Sequence, residues 1–352
     1  MTPTPSNTWQ PNSSIEILRF RAELLANIRS FFKQKQVFEV ETPLLSQAAT
    51  CDVFIDSFST SQYGKNYYLH TSPEFAMKRL LASGSGDIYQ IAKVFRQEES
   101  GSKHNPEFTL LEWYRTGFTD QDLMAEVADL INTLLSLQSS TFHLLVNQHP
   151  VFKQVNLTKD SQLEVEFLSY RDCFIQTLSL NPHTATVSEL KHCAEKFNLH
   201  NTLSDQDEKD RWLELLLSCV IEKTLSGTLD KPKMTFLYDY PASQASLARI
   251  AENNHGERVA KRFELYLGGM ELANGFYELD NASEQLQRFE KDNQHRIKLG
   301  KASVPIDHHL IAALEHGLPS CAGVALGIDR LLMVMLGKTH IDEVLSFSFN
   351  RA

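Results

Sequence analysis

Apolar and polar residues alternate along this chain with two different periods. Leu18, Leu24, Leu25, Ile28, Phe31 and Phe32 recur at helical spacing, and Ser13 stands three places before Glu16 as a capping box. The pattern predicts a helix from there to about Lys35. Residues 37–43 read as a short strand ended by Pro43, which cannot donate to a ladder. Ser72-Pro73-Glu74 opens another helix, with Ser72 as N-cap and Pro73 at the first helical position. The period then switches to two. Residues 88–96 and 108–115 form an antiparallel pair joined by the polar loop 97–107. This puts Phe108, Leu110, Glu112 and Tyr114 on one face and Thr109, Leu111 and Trp113 on the other. A helix over 119–137 follows.

Residues 140–232 are more polar, with helical patterns over 170–178, 188–197 and 208–225 and no motif tied to chemistry. They read as a mainly helical insertion covering the core, with a protein-partner surface as the alternative. Strands resume over 234–240, 262–267 and 271–279. Helices follow over 283–299 and 307–316, the latter stopped by Gly317. A strand over 323–327, a helix over 329–336 and a strand near 344–349 close the chain. Runs of strands with helices between them predict an α+β fold on an antiparallel sheet. Residues 1–12, polar and proline-bearing, read as a flexible tail, and 13–352 as one domain containing the insertion.

Composition narrows the field. With 42% hydrophobic residues the chain can bury a real core, and its net charge of −10 weighs against sequence-independent binding to nucleic acid. No apolar run approaches the ~18–20 residues of a membrane span, and the first residues carry no basic and apolar leader. Five scattered cysteines without a CxxC pair disfavour a disulfide framework or a structural zinc site. His308 and His309 are adjacent on a helix and share no face, so they make no zinc site. A cytoplasmic protein is the expectation.

Three segments place charge where apolar residues belong. Arg96-Gln97-Glu98, followed by His104-Asn105-Pro106-Glu107-Phe108 and Glu112, puts an arginine and several carboxylates around a hairpin; a solvated hairpin tip is the plain alternative. In Glu271-Leu272-Ala273-Asn274-Gly275-Phe276-Tyr277-Glu278, two glutamates interrupt a strand that looks buried. Seven positions apart, they face opposite ways unless a bulge intervenes, and Gly275 is the expected place for it. An exposed edge strand is the alternative. Gly323-Val324-Ala325-Leu326-Gly327-Ile328-Asp329-Arg330 offers close backbone approach and an arginine on the first helical turn, suited to a phosphate. No GxxxxGK[ST] loop, GxGxxG fingerprint or Gly-x-Ser-x-Gly elbow occurs.

Taken in order, these segments resemble the three motifs of class II aminoacyl-tRNA synthetases. The first helix with 37–43 resembles motif 1, the dimer-forming element; 95–114 resembles motif 2 and 323–336 motif 3. Thr71-Ser72-Pro73-Glu74, His104-Asn105-Pro106-Glu107-Phe108-Thr109 and Glu271-Leu272-Ala273-Asn274-Gly275-Phe276 are similar to the lysyl-tRNA synthetase subgroup. Motif 1 begins at Ser13, which leaves no room upstream for the anticodon-reading OB-fold of that subgroup. Ala325 replaces a glycine typical of it. Both features resemble the short paralogues that lysylate bacterial translation elongation factor P.

The resemblance implies a class II catalytic fold, ATP and Mg²⁺ as cofactors, a homodimer, and elongation factor P as protein substrate, with tRNA not expected. It implies activation of (R)-β-lysine, and poorly of lysine, to an adenylate. Arg96 would clamp the α-phosphate and Arg330 the triphosphate tail. Gln97, Glu98, Asn105, Leu272 and Gly327 would complete the ATP site, Gln97 standing where the family has asparagine. Glu271 would be catalytic and, with Glu278, would hold the metal. Ser72, Pro73, Glu74, Tyr114, Glu278 and Ala325 would line the amino-acid pocket, the Ala325 methyl favouring the shifted-amine isomer. A minimal lysyl-tRNA synthetase and an inactive regulatory paralogue are the competing readings.

Overall fold

The computed structural model describes residues 9–136, 163–199, 201–204, 207–227 and 233–352. Most of the expected tail, the end of the 119–137 helix and the first part of the insertion lie outside the described residues. Helix α1 (Ile15–Gln34) buries Ile17, Phe20, Leu24, Ile28, Phe31 and Phe32 along one stripe. Its cap is Ser14, not Ser13: Ser14 Oγ accepts from the Ile17 N–H at 3.4 Å, which leaves Glu16 in the first turn facing the helix dipole.

Of the strand expected over 37–43, only β1 (Phe38–Glu39) forms. β2 (Leu45–Ser46), β3 (Ser59–Gln62) and β4 (Lys65–Leu69) make a small separate sheet. Helix α2 (Glu74–Ala82) starts one residue later than expected, with Pro73 at the cap position and Ser72 Oγ accepting from the Glu74 N–H at 3.0 Å. β5 (Ile88–Phe95) and β6 (Glu107–Thr116) form the predicted hairpin, and α3 (Asp120–Leu135) follows behind a Thr119–Asp122 capping box.

The expected insertion region contains a strand that the sequence pattern did not show. β7 (Glu164–Ser169) pairs in parallel with β8 (Lys233–Pro241) and extends the main sheet. Helices α4 (Tyr170–Leu178), α5 (Val187–Glu195) and α6 (Lys209–Leu216) then pack a second core onto Leu237, Tyr240, Ala260 and Tyr266. A π-helical turn (Leu217–Ile221) prolongs α6.

The chain continues through β9 (Ile250–Glu252), β10 (Arg258–Leu267), β11 (Met270–Tyr277), α7 (Ala282–Lys298), α8 (His308–Gly317), β12 (Cys321–Gly327) and α9 (Ile328–Leu336). The strand expected near 344–349 is absent; 3₁₀ turns at Ile341–Val344 and Phe349–Arg351 stand there instead. Between them Ser346 accepts from the Asn12 N–H at 2.7 Å and Ser348 donates to Asn12 Oδ1 at 2.9 Å, so the last residue of the expected tail is pinned to the C-terminal segment.

The main sheet runs β1-β5-β6-β12-β11-β10-β8-β7. Its outer pairs, β1–β5 and β7–β8, are parallel and the six strands from β5 to β8 are antiparallel throughout. One face carries the main core: Leu111 and Trp113 of β6, Ala322, Val324 and Leu326 of β12, and Phe263, Leu265 and Leu267 of β10 pack with α1, α3 and α9. Period-two alternation leaves the complementary residues on the other face, which is the floor of a cleft. No described helix is long and apolar enough to cross a membrane.

Candidate active site

The cleft has a volume of about 440 Å³. Its floor is assembled by alternation. β6 supplies Phe108, Leu110, Glu112 and Tyr114, the face predicted from the sequence, and β12 supplies Gly323, Ala325 and Gly327. Three small residues in a row on one strand face open the space above the sheet. A Cβ on Gly327 would meet nothing nearer than 3.8 Å, so the protein's own packing does not require glycine there; the room faces the cleft.

β11 solves the parity problem of Glu271 and Glu278. Leu265 pairs with Ala273 but Tyr266 pairs with Glu271, which makes Leu272 an extra residue. Leu272 and Ala273 both enter the core, and Glu271 returns to the cleft side with Asn274, Phe276 and Glu278. The bulge expected at Gly275 therefore sits at Leu272. Gly275 has a different reason to be glycine: a Cβ there would lie 2.4 Å from the Phe263 ring.

At one end of the cleft the two predicted arginines converge. Arg96 follows β5, its backbone N–H donating to Pro106 at 2.9 Å, and its guanidinium stacks 5.0 Å from the Phe108 ring centroid. Its Nε is buried without an acceptor. Arg330, on the first turn of α9, donates to the Glu271 carbonyl at 3.0 Å and to His104 Nε2 at 2.6 Å, and lies 3.5 Å from the Glu271 carboxylate. Burial and the Arg330 charge lower the His104 pKa, so the neutral ring accepts from Arg330. Glu99 closes the chain, 3.4 Å from His104 and 3.7 Å from Arg96. Two guanidiniums held this way around one gap form a site for a polyanion.

Beside them, Glu271 is pushed up to about 7 by its enclosure and by the neighbouring Glu264 charge, with Arg330 and Arg262 pulling it back. Glu264 is tied to Arg262 and accepts from the Tyr266 hydroxyl at 2.6 Å. Arg262 also reaches Asn274 Oδ1 at 3.2 Å.

At the opposite end lies an acid-lined pocket. Glu112 is buried and pushed up to about 8 by burial and by Glu74, partly offset by a hydrogen bond from Ser72. Its Oε1 has no hydrogen-bond partner. Glu278 is raised by burial and by Glu74, against the pull of Lys78. Lys78, 1% exposed, sits with Nζ 2.6 Å from Glu74 and 2.6 Å from Glu278. Tyr114 closes the floor against Gly323.

Several expected positions require correction. Gln97 and Glu98 do not line the cleft: Gln97 donates to the Asp56 and Ser57 carbonyls, and Glu98 takes a left-handed turn conformation with φ of 60°. Pro73 lines a neighbouring cavity instead. Asn105 lines the cleft but commits its amide to structure, donating to the Glu107 carbonyl at 2.6 Å and accepting from the Phe349 N–H at 3.0 Å. Glu271 and Glu278, the expected metal pair, are not among the charges acting most on each other. The charges acting most on Glu278 are Lys78, Glu74 and Arg249, while those acting on Glu271 are Glu264, Arg330, Arg262 and Glu222. Among the described residues no group of three or more His, Cys, Asp or Glu is set to hold a metal ion.

Sequence reasoning also passed over Lys78, Glu99, Arg262 and Glu264. Arg262 and Glu264 carried a usable signal, opposite charges two apart inside an apolar strand. Lys78 and Glu99 carried none, since each reads as an ordinary surface residue.

A six-stranded antiparallel floor with an arginine at the end of one hairpin strand and another opening the helix after β12 is a class II synthetase arrangement. The family model of class II tRNA synthetases (D, K and N) matches residues 8–351, and the chain belongs to that family. Within it, the chain is 47% identical over 347 residues to the elongation factor P–(R)-β-lysine ligase of Vibrio vulnificus (strain YJ016), covering 97% of this chain and 98% of that protein. It is likewise 47% identical over 347 residues to the protein of that name from Vibrio parahaemolyticus serotype O3:K6, with the same coverage. The one from Pseudoalteromonas translucida (strain TAC 125) is 46% identical over 352 residues, 98% of this chain and 99% of that protein.

Proposed function

We propose that this protein activates (R)-β-lysine with ATP and joins it to the ε-amine of a lysine on elongation factor P. The observation that carries this reading is the polarity of one continuous cleft: paired arginines at one end, buried acids at the other, and small residues of β12 between them. The names of the relatives supply the amino acid and the acceptor.

In the first step the amino-acid carboxylate attacks the α-phosphate and pyrophosphate leaves; in the second the acceptor amine attacks the acyl carbonyl, gives up a proton and releases AMP. Neither step needs a protein nucleophile. Both need alignment and compensation of negative charge. Arg96, whose Nε has no acceptor, would meet the α-phosphate and Arg330 the leaving pyrophosphate. Glu74, Glu112 and Glu278 compensate the ammonium groups of the substrate, whose desolvation would otherwise oppose binding. Ala325 pairs with Glu112 on one side and Asn274 on the other, so its methyl lies where the substrate spans the floor.

Glu271, a cleft-lining carboxyl raised by its enclosure and then by the Glu264 charge, fits a divalent cation, which would relieve both. Glu264 and Glu271, rather than Glu278, would hold Mg²⁺, which supplies charge neutralisation on the phosphate oxygens. A homodimer would form through the α1–β1 edge, where Phe38 is 63% exposed. Acting on a translation factor, the protein works in the cytoplasm. ATP–pyrophosphate exchange with (R)-β-lysine and α-lysine, followed by transfer to purified elongation factor P or tRNA-Lys, tests the reading. Exchange favouring the β-isomer and transfer to the factor are expected; charging of tRNA instead overturns it.

A further inference from the structure

Lys78 is a costly residue to place where it is. It lies on the buried face of α2 between Met77 and Leu81, and an apolar side chain would avoid the desolvation of an ammonium. Its Nζ does not line the cleft. It backs two carboxylates that do, Glu74 and Glu278, at 2.6 Å each. Glu278 keeps Oε1 free of hydrogen-bond partners, and this oxygen lies only 2.5 Å from where a Cβ on Gly323 would project from the floor. Lys78 thus makes its ion pair with Oε2 of Glu278, while Oε1 lies against the floor at Gly323; both oxygens are buried without a hydrogen-bond partner.

We propose that Lys78 is a positioning residue that sets the charge of the amino-acid pocket. It takes up one of three carboxylate charges, fixes Glu74 and Glu278 in register, and leaves two negative charges for a ligand with two ammonium groups. The inference rests on the reading of this end of the cleft as a diamino-acid site. Without Lys78 the pocket would hold three mutually repelling acids, Glu74 from α2, Glu112 from β6 and Glu278 beyond β11. Tyr114, Cys321, Arg249 and, acting on Glu112, Arg96 are the other titratable or charged groups around them. Loss of the ammonium moves the acids toward their protonated forms, so a dication then binds well only at higher pH.

The test is ATP–pyrophosphate exchange by the full chain carrying Lys78→Met or Lys78→Arg, with ATP binding measured separately. Lys78→Met is expected to bind ATP as wild type does, to raise KM for (R)-β-lysine at least about tenfold, and to shift the acid limb of kcat/KM upward by about one pH unit. Lys78→Arg keeps the charge and displaces the acids, so KM rises while the acid limb stays in place. Wild-type KM and pH profile in Lys78→Met would show that the residue only packs and would overturn the proposal. Should Lys78→Met fail to fold, Lys78→Arg decides: a raised KM with an unmoved limb supports it, an unchanged KM overturns it. Failure of the wild-type protein to activate any diamino acid would sink the reading of the pocket itself, a separate outcome.

Discussion

Gly323 and Tyr114 are directly paired across β12 and β6, and a Cβ on Gly323 would fall 2.2 Å from the Tyr114 ring and 2.5 Å from Glu278 Oε1. The glycine is what lets the ring and the carboxylate share one floor. Gly323→Ala forces one of them to move, at about 1–3 kcal/mol of overpacking. KM for the amino acid should rise by at least about tenfold while ATP binding, at the other end of the cleft, is kept. Amino-acid kinetics and ATP calorimetry on the same variant check this.

Arg330 is partly exposed and contributes to no core, so its removal tests chemistry rather than folding. Arg330→Ala should lower ATP–pyrophosphate exchange by about 10²–10³-fold, the usual loss on deleting one preorganised donor, with an unchanged melting temperature. Residual exchange at the wild-type rate would remove this arginine from the phosphate site.

The acids predict a pH dependence with a definite sign. Glu112 is raised to about 8 in the free site and must be ionised opposite an ammonium. Below pH 8 a proton therefore leaves on binding, and affinity falls as pH falls. KM for the amino acid should decrease from pH 6 to 8, by up to about tenfold per unit, and then level off. Glu112→Gln should raise KM and weaken that slope. A flat KM over this range contradicts the charge account.

Ala325→Gly removes one methyl from the middle of the floor. A change of that size is worth about 1–3 kcal/mol in selectivity, or about 10–200-fold. The variant should narrow the preference for (R)-β-lysine over α-lysine in competitive exchange. An unchanged ratio takes Ala325 out of the specificity argument.

How far the sequence alone reached depended on what kind of regularity carried each feature. Alternation in β6 placed Glu112 and Tyr114 together correctly because one face of that strand is core and the other is cleft. Parity also showed that Glu271 and Glu278 need a bulge. Its location depended on pairing with β10, which no local pattern encodes, and the glycine that drew attention is there for Phe263. Lys78 was invisible for a related reason: at i+4 from Glu74 it reads as a surface ion pair, and only the fold brings Glu278 to its other side. β7 is half exposed with weak alternation, and the strand expected near 344–349 became 3₁₀ turns pinned by Asn12.

Asp329 adjoins Arg330 yet has a structural task. Buried, it accepts from the Thr109 N–H at 2.7 Å and from Arg21 at 2.5 Å, which ties α9 to β6 and α1. Asp329→Ala removes the carboxylate opposite the Arg21 charge, leaving Arg21 only its hydrogen bond to Thr109 Oγ1, and should cost about 3–5 kcal/mol in denaturant unfolding. A loss below about 1 kcal/mol would show that the tie is dispensable.

The most direct measurement is intact mass analysis of elongation factor P after incubation with the purified protein, ATP, Mg²⁺ and each lysine isomer in turn. The account predicts that the factor gains the mass of one lysyl residue, faster with (R)-β-lysine than with α-lysine, and gains nothing when ATP is omitted. An unmodified factor under conditions where the same preparation charges tRNA-Lys would contradict it.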